Sequence, residues 1–210
     1  MKVLAISCSP RVGGNCDKII DTILNGMLKG KEDIIVDKYK LSTMNINGCK
    51  ACYSCKKENG CIQKDDMQLL YAKLNEADLI IFASPIYMGH ITGTGKNFMD
   101  RMFAFMKEHF EVTLPKGKKA IIVLTQGHQV ESAYRRVADD LINFFNSYGI
   151  ETVSQIIAAG LTLEADKINK NVLDHAYRVG EKLLCEGSTV RYSHSFHFTQ
   201  LSLCRLWLQI

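Results

Sequence analysis

The sequence predicts a doubly wound α/β domain on a five-stranded parallel sheet, with a cysteine-rich insertion after the second strand. Three observations carry this. Strand-length apolar runs at residues 2–8, 78–84 and 118–125 show no polar alternation, as in strands covered on both faces. Stretches of helical period separate these runs, which is the signature of right-handed βαβ crossovers. The loops leaving the apolar runs are rich in Ser, Thr, Gly and Pro and poor in charge.

In chain order, residues 2–8 (KVLAISC) read as a buried strand, followed by a Gly-Gly-Asn turn. A helix from about Asn15 to Lys29 places Ile19, Ile20, Ile23, Leu24 and Met27 on one face. Residues 33–39 form a second strand, and the segment 45–66 that follows has little periodicity of either kind. Asp65 or Asp66 can N-cap a helix running through Glu76, because a carboxylate there accepts orphaned backbone N–H groups. Strands at 78–84, 118–125 and, more weakly, 150–158 complete the sheet. Helices are expected at about 95–108, 131–148 and 165–185. Pattern alone does not choose among the doubly wound strand orders.

At 210 residues and 47% hydrophobic composition the chain can bury a sizeable core. The expected organisation is one domain over 1–187, with a tail at 188–210 whose Phe, Leu and Trp residues would dock on the body or on a neighbouring subunit. Net charge is +4, with scattered basic residues that form no nucleic-acid-binding stripe. The N-terminal apolar run is too short for a secretory signal, and no segment approaches membrane-spanning length. The expected location is the cytoplasm, where eight cysteines are not read as four disulfides.

The first strand leads straight into SCSPRVGGNC and then a helix. A helix start offers free N–H groups and partial positive charge, so Ser9, Asn15 and the turn amides can cradle a phosphate that Arg11 covers. The dinucleotide fingerprint is absent. Gly93-Thr94-Gly95-Lys96 is no triphosphate loop, since Asn97 follows the lysine and no strand directly precedes it. Ligands of doubly wound sheets sit beyond the strands' carboxyl ends, where strand order reverses. That brings Ser84–Gly89 and Thr125-Gln126-Gly127 to the same place. Both loops are nearly uncharged and suit a flat heteroaromatic ring, with Tyr87 and Met88 adding apolar surface.

SCSPRVGGNC, SPIYMGHITGTGKNFMDR and TQG resemble, in order and spacing, the FMN-binding elements of flavodoxin-like NAD(P)H-dependent FMN reductases over about residues 2–185. The resemblance implies strand order 2-1-3-4-5 and an FMN phosphate held by Ser9, Arg11, Asn15 and Cys16. It implies Pro85, Ile86, Tyr87, Met88 and Gly89 on one side of the flavin, and Thr125, Gln126 and Gly127 on the other. Thr is usual where Cys16 stands, and a thiol is the poorer hydrogen-bond donor.

Cys49, Cys52, Cys55 and Cys61 lie within thirteen residues. Four such thiolates satisfy either a [4Fe–4S] cluster or a tetrahedral zinc, and three of them packed at i, i+3, i+6 suit iron–sulfur better than paired zinc knuckles. Metal-free thiols are the remaining alternative. The motif is similar to that of the iron–sulfur flavoproteins, a branch of the same family, which implies that these four cysteines ligate a [4Fe–4S] cluster near FMN in a homodimer or tetramer. Cys8, Cys185 and Cys204 read as small buried or tail residues, and His90 and His128 as solvated loop histidines.

Three functions follow as expectations. The first is an FMN-dependent oxidoreductase in which a [4Fe–4S] cluster and FMN exchange electrons, supplied by a donor such as ferredoxin. The second is a cluster-free NAD(P)H-dependent FMN or quinone reductase. The third is a non-catalytic flavin carrier or binding protein with a structural zinc loop. No catalytic side chain is needed, because the flavin carries the redox chemistry.

Overall fold

A computed structural model describes residues 1–29, 33–58, 60–161 and 168–186. The strands are β1 Lys2–Ser7, β2 Ile35–Lys40, β3 Leu79–Pro85, β4 Lys119–Thr125 and β5 Glu151–Ala158. All neighbours pair in parallel in the order β2-β1-β3-β4-β5, the order implied by the resemblance. The helices are α1 Asn15–Leu28, α2 Ser54–Lys57, α3 Met67–Glu76, α4 Gly93–Arg101, α5 Arg135–Ser147 and α6 Lys170–Glu186.

Side chains alternate across a strand, so each central strand feeds two cores. Leu4, Ile6, Ile80, Phe82, Ile122 and Leu124 point to one face and pack with Leu70 and Leu74 of α3, Phe98 of α4 and Phe145 of α5. Val3, Ala5, Ile81, Ala83, Ile121 and Val123 point to the other, against Ile19, Ile20, Ile23 and Met27 of α1 and Ala176 of α6. Each large apolar side chain sequestered this way contributes roughly 1.5–3 kcal/mol. α1 and α6 touch through glycine: a Cβ on Gly26 would lie 2.2 Å from the Tyr177 carbonyl oxygen, and one on Gly180 2.1 Å from that of Ile23. β2 is an edge strand carrying Asp37, Lys38 and Lys40, charges that discourage edge-to-edge pairing.

The elements depart from the sequence pattern in instructive places. α4 ends at Arg101 and passes into a 3₁₀ turn, Met102–Phe105, rather than running to 108. Its start is fixed by Thr92, whose side chain accepts from the Gly95 N–H. A 3₁₀ turn, Glu131–Tyr134, replaces the first turn expected of α5. α6 begins at Lys170, where Asn169 Oδ1 accepts from the Asn171 N–H at 2.9 Å. Asp66 holds the cap position of α3, but its carboxylate accepts from the Asn45 N–H, and Asp65 Oδ1 takes the Met67 N–H at 3.2 Å. The tail at 188–210 lies outside the described residues. Among the described residues no helix is long and apolar enough to cross a membrane.

Candidate functional site

The carboxyl ends of β1, β3 and β4 open on a cleft of about 320 Å³, within the range of small-ligand pockets. Ser9, Arg11, Asn15, Cys16, Pro85, Ile86, Tyr87, Thr125, Gln126 and Gly127 line it together with Leu161. Ten of the twelve sequence-derived cofactor residues thus meet at the strand-order reversal, and Leu161 adds an apolar wall that no motif signalled. Met88 and Gly89 stand apart. They are the two central residues of a tight turn in which Tyr87 and His90 exchange backbone hydrogen bonds, both have positive φ, and Met88 points fully into solvent.

The phosphate loop is braced from below. Among the described residues no side chain caps Gly14, so the N–H groups at the start of α1 stay available to an anion. A Cβ on Gly14 would press to 3.1 Å from Arg11 Cβ. Among the described residues, Asn15 Oδ1 is buried with no hydrogen-bond partner and Arg11 is the one charged residue on the lining. An uncapped helix start and one cation fit a mononucleotide phosphate, to which Asn15 can donate only through its Nδ2. The uncharged loops after β3 and β4 fit the edges of an isoalloxazine ring.

Asp17, missed in the sequence, organises this loop. Its carboxylate takes the Ser7 hydroxyl at 2.5 Å, the Gly13 N–H at 2.9 Å and the Lys40 ammonium at 3.0 Å, while Lys40 also reaches the Arg11 carbonyl at 2.5 Å. Burial opposes the Asp17 charge, but the bonds from Ser7, Lys40 and Gly13 prevail and hold its carboxyl below the ordinary range. An acidic residue in a helix's first turn was the available signal. Lys40 is brought beside Ser7 only by the β1–β2 register.

Cys16 Sγ lies 3.4 Å from Thr125 Oγ1, and burial pushes its thiol up to about 12, so it meets the cleft as a neutral group. Gln126 is held in place by its own hydrogen bonds: Nε2 donates to the Val130 carbonyl at 2.7 Å, its N–H donates to the Ala158 carbonyl, and its carbonyl accepts from the Leu161 N–H.

The cysteine-rich loop is a second constellation. Cys49 and Cys52 are exposed, Cys55 is buried on α2, and Cys61 is half-buried. Burial raises the Cys55 thiol, with Cys61 and Cys49 near enough to add to the effect. Ser54, through a hydrogen bond, lowers that of Cys52. Among the described residues no three Cys, His, Asp or Glu side chains are drawn close enough to hold a metal ion. The donor chemistry suits a thiolate-ligated centre, while the thiols are not gathered on one point.

The two ends of this loop are pinned by a buried ion pair the sequence did not reveal. Arg101 Nη1 and Nη2 reach Asp65 at 2.6 and 3.0 Å, with side chains only 1% and 2% exposed, and Nη1 also donates to the Asn47 carbonyl at 2.9 Å. Asp65 in turn accepts the Asn47 N–H at 3.1 Å.

A sheet of order 2-1-3-4-5 with an anion loop after β1 and uncharged loops after β3 and β4 defines a flavodoxin-like mononucleotide-binding protein. The chain belongs to the NADPH-dependent FMN reductase family, whose model matches residues 1–162. It is similar to an iron–sulfur flavoprotein of Methanosarcina thermophila, 36% identical over 110 residues, covering 52% of this chain and 56% of that protein. An iron–sulfur flavoprotein of Methanocaldococcus jannaschii is 39% identical over 125 residues, covering 59% and 61%. The matched part thus spans a little over half the length of these relatives. Among solved structures, an NAD(P)H:quinone oxidoreductase from Methanothermobacter marburgensis shares the fold, with TM-score 0.70, 16% identity, and coverage of 93% of this chain and 99% of that one.

Proposed function

We propose that this protein is an FMN-dependent oxidoreductase in which FMN exchanges electrons with a [4Fe–4S] cluster ligated by Cys49, Cys52, Cys55 and Cys61. The observation that carries the flavin half is the cleft itself, where ten residues from three separated motifs surround an uncapped helix start. Bound there, FMN would supply conversion between two-electron and one-electron transfer. Ser9, Arg11, Asn15 and the amides of Gly14 and Asn15 hold the phosphate, with Asp17 and Lys40 fixing the loop from below, Asp17 through the Gly13 N–H. Pro85, Ile86 and Tyr87 bound one side of the ring, and Thr125, Gln126 and Gly127 the other. Met88 and Gly89 act through the turn that shapes this wall.

The cluster half rests on the four-thiol donor set in one loop and on the likeness to proteins named iron–sulfur flavoproteins. The electron donor is NAD(P)H or a ferredoxin-like carrier, the working form is a homodimer or tetramer, and the setting is the reducing cytoplasm.

An anaerobic absorption spectrum with flavin, iron, sulfide and zinc quantified tests both halves. The expected result is one FMN with about four irons and four sulfides per chain. FMN without iron, together with steady-state NAD(P)H oxidation, would replace the cluster reading with a simple reductase. Zinc would make the loop structural. A protein that takes up neither flavin nor metal after reconstitution would refute the proposal.

A further inference from the structure

On the outer side of the cysteine-rich loop lies a second hollow, about 440 Å³, between α2 and the segment after α4. Among the described residues, Tyr53, Lys56, Lys57, Phe103, Lys107, His109 and Phe110 line it: three aromatic rings, three lysines and a histidine. Phe110 is 79% and Tyr53 60% exposed, so two large aromatic rings project into water from the same hollow. Backbone conformation sets the place apart as well. The non-glycine described residues with left-handed φ are Ala51, Tyr53, Met88, His109 and Phe110, and three of these five line this hollow. Such conformations cost of order 1 kcal/mol or more each and gather where function holds them.

The cations are arranged for a broad surface rather than a compact anion. Lys56 lies over the Phe103 ring, 3.4 Å from its centroid, and is bound to the Phe103 and Met106 carbonyls. Lys107 reaches the Glu58 carbonyl at 3.3 Å. Ammonium groups tied to backbone this way do not converge on one phosphate. They spread positive potential around two projecting rings, and in the adjoining loop Lys50, Lys57 and Lys64 face only Glu58 between residues 48 and 64. Cys52 precedes Tyr53 directly, and Cys55 sits on α2, which forms one wall.

We infer that this hollow is the docking surface for an acidic electron-carrier protein, which it brings against the cysteine-rich loop. The inference rests on the proposed function for its redox meaning, while the docking itself does not depend on a cluster. Charge complementarity steers the encounter, and Tyr53 and Phe110 supply the buried anchors that hold it. Each docking event oxidises one reduced carrier by one electron. Two such events, with two protons from solvent, supply what a two-electron acceptor such as a quinone takes up in becoming a hydroquinone.

The test uses the reconstituted holoprotein and a reduced acidic ferredoxin as probe, under anaerobic conditions. Wild type is compared with Lys57→Glu, with Lys57→Glu/Lys107→Glu and with Phe110→Ala; Lys57 and Phe110 are exposed and Lys107 is half-buried. Carrier-dependent reduction, ferredoxin binding by calorimetry, reduction by dithionite and sedimentation are measured in parallel. The expected result is that ferredoxin binding weakens as salt rises and by about tenfold or more on double charge reversal, as close charge pairs at interfaces do. Phe110→Ala lowers affinity through faster dissociation, while flavin content, iron content and dithionite reduction stay at wild-type levels. A protein found without iron whose ferredoxin binding still falls on charge reversal supports the surface and sinks only the cluster reading. Binding that ignores salt and all three variants overturns the inference. So does dissociation of an oligomer by Phe110→Ala, which would make the hollow a contact between copies of this chain.

Discussion

The phosphate loop and the cysteine-rich loop are both irregular segments that follow strands, yet they are held in different ways. The phosphate loop is short, sits on the end of β1, and is braced by Asp17 and Lys40 within a few ångströms of the cleft. The cysteine loop is longer and is fastened at its two ends by Arg101, which binds Asp65 and the Asn47 carbonyl, while its described thiols stay spread. The first loop is shaped in advance for its ligand. The second is pinned at its base, while its four thiols are not gathered on one point.

This contrast breaks most visibly at Arg101. Arg101→Met strands a buried carboxylate and is expected to cost about 3–5 kcal/mol of stability, as the loss of one partner of a buried pair does. Thermal unfolding measures the loss, and hydrogen exchange should show the greatest loosening at residues 47–65 rather than at the cleft. Equal loosening of both loops would erase the distinction drawn here.

Thiol chemistry sharpens the same comparison. In metal-free protein, alkylation followed by mass spectrometry should modify Cys52 first and Cys8 and Cys16 last, with rates separated by roughly a hundredfold. Cys52 is exposed and its thiol is lowered by Ser54, whereas burial raises the thiols of Cys8 and Cys16.

Asp17→Asn should weaken FMN about tenfold, the cost of losing charge-assisted hydrogen bonds, with no change in the alkylation order. Fluorescence quenching of FMN reads the affinity. The Asp17 carboxyl is held below its ordinary value of 3.8, so its stabilising contribution is complete above that pH and is lost as pH falls through the folded-state value. Acid titration of wild type should therefore show a loss of loop stability below about pH 4 that Asp17→Asn lacks.

The smallest effect belongs to Cys16→Thr. A neutral thiol already placed beside Thr125 leaves little to gain, and a change in FMN affinity within about threefold is expected.

Most of the sheet was legible because unbroken apolar runs and 3.6-residue periodicity are local properties, and β1 through β5 fall where those patterns put them. The flavin cleft was legible for a related reason. Doubly wound topology forces loops after β1, β3 and β4 together, so loop chemistry nominated Ser9 and Asn15, while Ile86 and Thr125 followed from the family resemblance. The apolar character of Met88 suggests a ring contact; the structure adds that it sits in a turn with positive φ and faces water.

The sequence by itself determined the strand–helix alternation, the anion loop and the four-cysteine donor set, each written in neighbouring residues. Tertiary structure alone decided that Lys40 would brace a carboxylate 23 positions away and that Arg101 would clasp one 36 away. It also decided that Tyr53 and Phe110, on separate segments, would share one cationic hollow. Those choices depend on strand register and helix packing, which bring together side chains whose chain separation carries no periodic trace.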